Sequence, residues 1–325
     1  MRRREFIALF GCAAVASPTK ARAQQKMPVV GFLNSASLTR YERMVAAFRR
    51  GLSDAGYVEG RNVSLEFRWA DGKYDLLSGL AAELVNRPVN VIFANTPAVQ
   101  AALKLTRSIP IVFAVSSDPV REKLVISLNR PGGNVTGITQ ANVEVSPKRL
   151  ELLHELVPQA RKIALLINPT NPTLANPTSS ELQAAASSLG VELQILTASS
   201  DADLDPAFAK AVQSNAGGIV IGSDPFFTSR SEELAILGLR HKMPAAYQYP
   251  EFAAAGGLLS YGGGLVDSYR LAGIYVGRIL KGDNPAELPV QQSTKVDFII
   301  NLKTAKALGI FVPLPLVGRA DEVFE

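Results

Sequence analysis

Small polar side chains and turn formers cluster in six segments of this 325-residue chain: Asn34-Ser35-Ala36-Ser37, Asn95-Thr96-Pro97, Ser116-Ser117-Asp118-Pro119, Asn168-Pro169-Thr170-Asn171-Pro172, Ser223-Asp224-Pro225-Phe226 and Ser260-Tyr261-Gly262. Ser, Thr, Asn and Asp at such places cap helix starts and shape turns, which is enough to account for any one of them. As a set they can do more. Free N–H groups at helix starts hold a carboxylate, and Asp118 or Asp224 can hold an ammonium, so the combination suits a zwitterion. Phe226, Tyr247, Tyr249 and Tyr261 could supply an aromatic wall, although an aromatic beside a strand end is as often ordinary core.

Signatures of covalent, metal or nucleotide chemistry break off. His154-Glu155 opens a zinc-protease motif, but Pro158 stands where the second histidine is needed. Gly257-Leu258-Leu259-Ser260-Tyr261-Gly262 misses the nucleophile-elbow spacing by one residue. Gly277 to Gly282 has the glycine gap of a phosphate loop, yet Asp283 takes the lysine position, and the segment reads as a helix end. Gly132-Gly133-Asn134-Val135-Thr136-Gly137 fits neither fingerprint and reads as a turn. Asp118 and Asp224 could do acid-base work as a pair, but nothing in the sequence supports it. No catalytic residue, metal-ligand set or cofactor is expected.

The elements that would position these loops alternate. Short apolar runs at Val29–Leu33, Asn62–Trp69, Val89–Ala94 and Ile109–Val115 are separated by helical patterns over Arg40–Ala55, Leu76–Val85 and Ala98–Thr106. A second series follows Pro147, with helices Lys148–Val157, Ser179–Leu189, Leu204–Gln213 and Ser229–His241 between strands Ile163–Ile167, Glu192–Leu196, Gly218–Ile221 and one near Ala245. Leu258–Tyr261, a long helix Val266–Lys281 and a strand-helix pair Val296–Leu308 are left over. The expected fold is α/β, with two Rossmann-like lobes built on parallel sheets. The surplus elements return across the boundary and leave a ligand cleft between the lobes, beyond the carboxyl ends of the strands.

Composition agrees with a two-domain globular chain: 47% apolar, 19% charged, 34 Lys+Arg against 29 Asp+Glu. Residues 1–23 alone hold Arg2, Arg3, Arg4, Lys20 and Arg22 against Glu5, so the remainder carries a net charge of only +1 and no nucleic-acid partner is expected. That segment reads as an export signal: basic start, apolar Phe6 to Ala16, then Ala21-Arg22-Ala23 as a cleavage site. Arg3-Arg4-Glu5-Phe6-Ile7 is similar to a twin-arginine signature, which points to the periplasm. Cys12 is the one cysteine. It lies inside the apolar run, where Phe10 argues against a lipid-anchoring box, and its removal would leave no thiol.

Stretches of this chain resemble one known family: Val30-Gly31-Phe32-Leu33-Asn34-Ser35, Gly56-Tyr57-Val58-Glu59-Gly60-Arg61-Asn62-Val63, Asp118-Pro119-Val120, Arg130 to Gly137, Lys148-Arg149-Leu150-Glu151-Leu152-Leu153 and Ile299 to Ala305. They are similar to the ABC-transporter substrate-binding family that includes the tryptophan-binding TrpX-like proteins, with the type I periplasmic binding protein fold. The resemblance implies two lobes joined by three crossings that close on a small solute and present it to an ABC permease in the inner membrane, with no catalytic residue. By position it places Asn34, Ser35, Thr96, Ser116 and Asp118 in the first lobe's cleft face and Asn168, Asp224, Phe226 and Tyr247 in the second's, with Ser260 and Tyr261 added from the return segment. Lobe 1 is expected to hold 27–142 plus 251–287, and lobe 2 to hold 143–250 plus 288–325. Arg121-Glu122-Lys123 departs from the family, which commonly has a small glycine-containing segment there. It could tune the charge of the ligand or form an outward turn. The expectation is an exported, monomeric solute receptor for an amino acid or related organic acid. A sensing domain that reports to a membrane signalling protein would use the same cleft, whereas a hydrolase would need catalytic groups converging on it.

Overall fold

The computed structural model describes residues 27–293 and 295–325; the expected signal and Cys12 lie outside the described residues. The apolar runs become β1 (Val29–Asn34), β2 (Ser64–Trp69), β3 (Val91–Asn95) and β4 (Ile111–Val115), joined by α1 (Glu42–Asp54), α2 (Leu77–Val85) and α3 (Ala98–Leu105). With β5 (Val135–Thr139) they form one parallel sheet, and the later two-residue β11 (Gln291–Gln292) completes it in the order β11-β5-β4-β3-β1-β2. Every residue of β3, β4 and β5 is buried, as a sheet covered by helices on both faces requires.

A second sheet begins after α4 (Ser146–Leu156). It takes β6 (Lys162–Ile167), β7 (Glu192–Thr197), β8 (Ile219–Ile221) and β9 (Ala245–Tyr247), connected through α5 (Pro172–Leu189), α6 (Asp201–Gln213), α7 (Pro225–Thr228) and α8 (Ser231–Arg240). After α9 (Pro250–Ala254) come β10 (Leu259–Gly263), α10 (Leu265–Leu280), β12 (Val296–Asn301), α11 (Leu302–Ala307), α12 (Leu314–Val317) and β13 (Glu322–Phe324). The order is β13-β12-β10-β9-β8-β6-β7, parallel except where β12 runs against β10.

Three expectations need correction. Val135–Thr139 is an interior strand and not part of a turn; only Gly132 and Gly133 turn, with φ of 71° and 77°. Gly137 belongs to that strand because a Cβ there would stand 2.2 Å from the Phe113 carbonyl oxygen. The stretch 251–263 sits with the second sheet and not the first, since β10 pairs with β9 and β12. Within 288–325, β11 returns to the first sheet. The chain therefore passes between the sheets three times: from β5 to α4, from β10 to α10 and from β11 to β12.

Helix α10 is the element that ties the late sequence to the first lobe. It packs on α1 across Phe48, Leu52, Tyr269, Ala272 and Val276, all buried. The backbones meet closely: a Cβ on Gly273 would stand 2.2 Å from the Phe48 carbonyl oxygen and 2.9 Å from the Leu52 nitrogen. Gly273→Ala should destabilise the protein by about 1–3 kcal/mol, overpacking outweighing the better helix propensity of alanine. Urea unfolding of the two proteins measures it.

Candidate functional site

The carboxyl ends of both sheets face one another. Between them lies a narrow cavity of about 20 Å³, bordered by Tyr41, Asn95, Thr96, Ala114, Ser116, Gln140, Leu265 and Tyr269 on one side and Leu174, Asp224, Pro225, Thr228 and Tyr249 on the other. That is room for about one water molecule, so the lobes stand closed on each other and must part to admit a solute.

The first wall is held from behind. Ser35 N donates to Asn95 Oδ1 at 3.0 Å, the Ser35 hydroxyl to the Thr96 carbonyl at 3.1 Å, and Asn95 Nδ2 to Ser35 Oγ at 2.9 Å. Asn34 Nδ2 donates to the Tyr269 hydroxyl at 2.9 Å. Asn34 and Ser35 are fully buried and do not border the space; they lock the loops after β1 and β3 in register. Thr96 and Ser116 do border it, and the Thr96 hydroxyl has no hydrogen-bond partner among the described residues.

Asp224 dominates the second wall. Its Oδ1 accepts from the Tyr74 hydroxyl (2.7 Å), Asn168 Nδ2 (3.0 Å) and Phe226 N (2.9 Å), while Oδ2 accepts only from Asn171 Nδ2 (2.7 Å). Oδ2 thus keeps a lone pair for a further donor. Burial pushes the Asp224 carboxyl above the usual range, against the pull of Asn168, Tyr74, Asn171 and Phe226 N. A buried carboxylate with no cation beside it gains most from an ammonium. Tyr74 belongs to the first lobe, so its bond to Asp224 spans the cleft.

The remaining sequence-predicted residues lie elsewhere. Asp118 Oδ1 accepts from Val120 N (2.8 Å) and Arg121 N (3.2 Å), closing a turn outside the space. Asn168 serves Asp224. Phe226 is core, with the Arg230 guanidinium 3.9 Å above its ring. Tyr247 is buried and shares a 3.0 Å hydrogen bond with Thr228. Ser260 is buried without a hydroxyl partner, and Tyr261 packs edge-on against Phe298. Tyr249 does face the space, joined by Tyr41 and Tyr269, which sequence reasoning missed. Burial raises all three phenols, Tyr249 to about 12, so they stay protonated.

Arg121-Glu122-Lys123 splits in two directions. Arg121 reaches across to Glu181 of α5 at 2.9 Å, while Glu122 turns inward to Gln100 Nε2 at 2.8 Å and to the Ser117 hydroxyl. Burial, then Glu144, pushes the Glu122 carboxyl up to about 8. The Arg121–Glu181 pair is partly exposed. Arg121→Ala should therefore weaken solute binding by no more than about 1 kcal/mol, and the difference should shrink in high salt, as isothermal titration would read.

At the crossings Gln140, Asn142 and Arg149 converge. Asn142 Oδ1 accepts from Gly263 N at 2.8 Å. Arg149, fully buried, donates to the carbonyls of Asn142 (2.6 Å) and Tyr261 (3.1 Å), and burial lowers its guanidinium to about 10. One side chain thus ties the first crossing to the strand that leads into the second.

A family profile described as ABC transporter substrate binding protein matches residues 26–324. A tyrosine-binding protein of Clostridioides difficile (strain R20291) is 27% identical over 296 residues, covering 90% of this chain and 83% of that one. Among solved structures, a conserved domain protein from Vibrio cholerae O1 biovar eltor superposes with a TM-score of 0.82 at 28% identity, covering 92% of this chain and 100% of that chain. An ABC domain from Streptococcus pneumonia in complex with L-Trp does so at 0.80 and 24% identity, covering 91% and 99%.

Proposed function

The chain belongs to the ABC transporter substrate-binding protein family, and on that premise we propose that it is an exported, monomeric receptor that closes its interlobe cleft on a zwitterionic amino acid and delivers it to an inner-membrane permease. The family is one of substrate-binding proteins, not enzymes. The observation that carries the amino-acid reading is Asp224: a buried carboxylate on the cleft wall with an unused lone pair and no cation paired to it among the described residues. Three tyrosines on the same small space support a ring-bearing side chain, and the tyrosine- and tryptophan-binding relatives support it further. Export rests on the basic and apolar segment 1–23, with the twin-arginine route as the reading of Arg3-Arg4 and removal of the segment preferred over anchoring at Cys12. The lobes are 27–140 with 264–292, and 145–263 with 296–325, hinged at the three crossings. The cleft is complete within one chain, which supports action as a monomer.

A thermal-shift screen of residues 24–325 against the twenty amino acids, organic acids, sugars and nucleosides tests this. A ligand at 100 times its Kd adds about 2.7 kcal/mol of stability. A saturable shift by L-tyrosine, L-tryptophan or another amino acid, without turnover, is the expected result. A shift by sugars or nucleosides alone would overturn the amino-acid class, and turnover of a hit would overturn the receptor role.

A further inference from the structure

We infer that Gln140, at the head of the first crossing, is the specificity-determining residue for the solute's carboxylate, which it takes on its side-chain Nε2. The inference rests on the amino-acid reading above and adds the group that faces the other end of the zwitterion.

Gln140 is 1% exposed and borders the cleft. Its Oε1 accepts from the Ser116 hydroxyl at 2.9 Å and from the Tyr249 hydroxyl at 3.5 Å. Its Nε2 has no partner among the described residues, and neither has the hydroxyl of Thr96, which borders the same cleft. Buried N–H and O–H groups are almost always bonded, so two unsatisfied donors on one wall of a cleft mark the place of an acceptor. A carboxylate can take both.

Charge points the same way. Arg149, nine residues after Gln140, is a buried cation whose hydrogen bonds among the described residues go only to two neutral carbonyls. Glu144 acts on it electrostatically without contacting it, so its charge is offset only in part, and what remains favours an anion over a cation nearby. Asp224 supplies the opposite sign from the other lobe.

Position makes Gln140 more than a contact. Its backbone N–H is fixed to the Val115 carbonyl of the first sheet at 3.0 Å, whereas Tyr249 belongs to the second lobe. Tyr249 can add its longer contact to Oε1 only when the lobes are closed, while Ser116, in Gln140's own lobe, holds Oε1 in either state, so Nε2 is aimed before the solute arrives.

The test compares L-tyrosine and L-tryptophan with their carboxamides, L-tyrosinamide and L-tryptophanamide, by isothermal titration against the processed wild type, Gln140→Glu and Gln140→Met. Gln140→Glu keeps the acceptor for Ser116 and Tyr249 and exchanges only the amide nitrogen for oxygen. The wild type should prefer the free amino acid. In Gln140→Glu that preference should fall at least tenfold or reverse, because the carboxamide can donate where the carboxylate is repelled. Gln140→Met, which carries no charge, should lose at least tenfold for the amino acid and much less for the amide. Equal losses for acid and amide in both variants, up to loss of all binding, would reduce Gln140 to a structural hinge residue and overturn the inference, as would unchanged affinities. No saturable binding of any of the twenty amino acids to the wild type would instead sink the amino-acid reading, and this one with it.

Discussion

Asp224→Asn is expected to weaken binding of a zwitterionic amino acid by about 2–3 kcal/mol, roughly 30- to 150-fold, while leaving the protein folded. The replacement is isosteric. The asparagine oxygen can still accept from Tyr74, Asn168 and Phe226 N, but its new amide nitrogen faces Asn171 Nδ2 and has nothing to offer an ammonium. The empty protein loses a buried charge that burial had penalised, so its melting temperature should hold or rise. pH separates this account from simple loss of shape. Because burial lifts the Asp224 carboxyl, acidification protonates it earlier than an ordinary aspartate, and wild-type affinity should fall as the pH is lowered. The cleft of the Asp224→Asn protein, with no charge to lose there, should show a flat profile over the same range. Equal pH dependence in both proteins would remove Asp224 as the ammonium partner.

The second large effect concerns stability. Glu122 holds its proton in the native protein up to about pH 8, whereas in the unfolded chain it ionises near the ordinary glutamate value. Between those two pH values the unfolded state has released a proton that the native state keeps. Its contribution is therefore complete below the unfolded value and is lost as pH rises, by about 1.4 kcal/mol for each pH unit, until it levels off near 8. Glu144 sits in the same cluster, is raised by its own burial and adds to the trend. Glu122→Gln mimics the protonated side chain at every pH. The stability gap between variant and wild type should thus open steadily from pH 5 to pH 8 in favour of glutamine, in denaturant titrations at several pH values. A constant gap would show that Glu122 is ionised in the native protein.

Much of the architecture was legible because its strands are buried on both faces and so read as unbroken apolar runs: Val30 to Leu33, Val91 to Ala94 and Ile111 to Val115. Where local pattern and tertiary demand diverged, reading failed. Val135–Thr139 carries a glycine that suggests a turn, yet it is required by the backbone of Phe113. Nothing in Leu259–Gly263 says which sheet it joins, since either would bury it. The two residues of β11 are too few to carry any period.

The site followed the same division. Thr96, Ser116 and Asp224 stood out because strand-end loops need capping residues, and those residues also line the cleft. Asn34 and Phe226 have the same local look but are spent on the wall behind it. Tyr41, Tyr269 and Gln140 carried no local signal. They reach the space from the turn before α1, from α10 and from a crossing, and Tyr74 meets Asp224 from 150 positions away. Such pairings exist only once the chain has folded.

The docking of α10 on α1 has a consequence for the time course of folding. Neither lobe is a continuous stretch: the first sheet waits for Gln291–Gln292 at its edge, and the core over β1 and β3 waits for Tyr269, Ala272 and Val276. Synthesis from the amino terminus therefore delivers most of the chain before either lobe can finish. Contacts of such sequence separation must close long loops before they gain anything, which slows the rate-limiting step. The newly made chain spends a long interval with the apolar face of α1 uncovered, and that interval, rather than final stability, sets its exposure to chaperones and proteases.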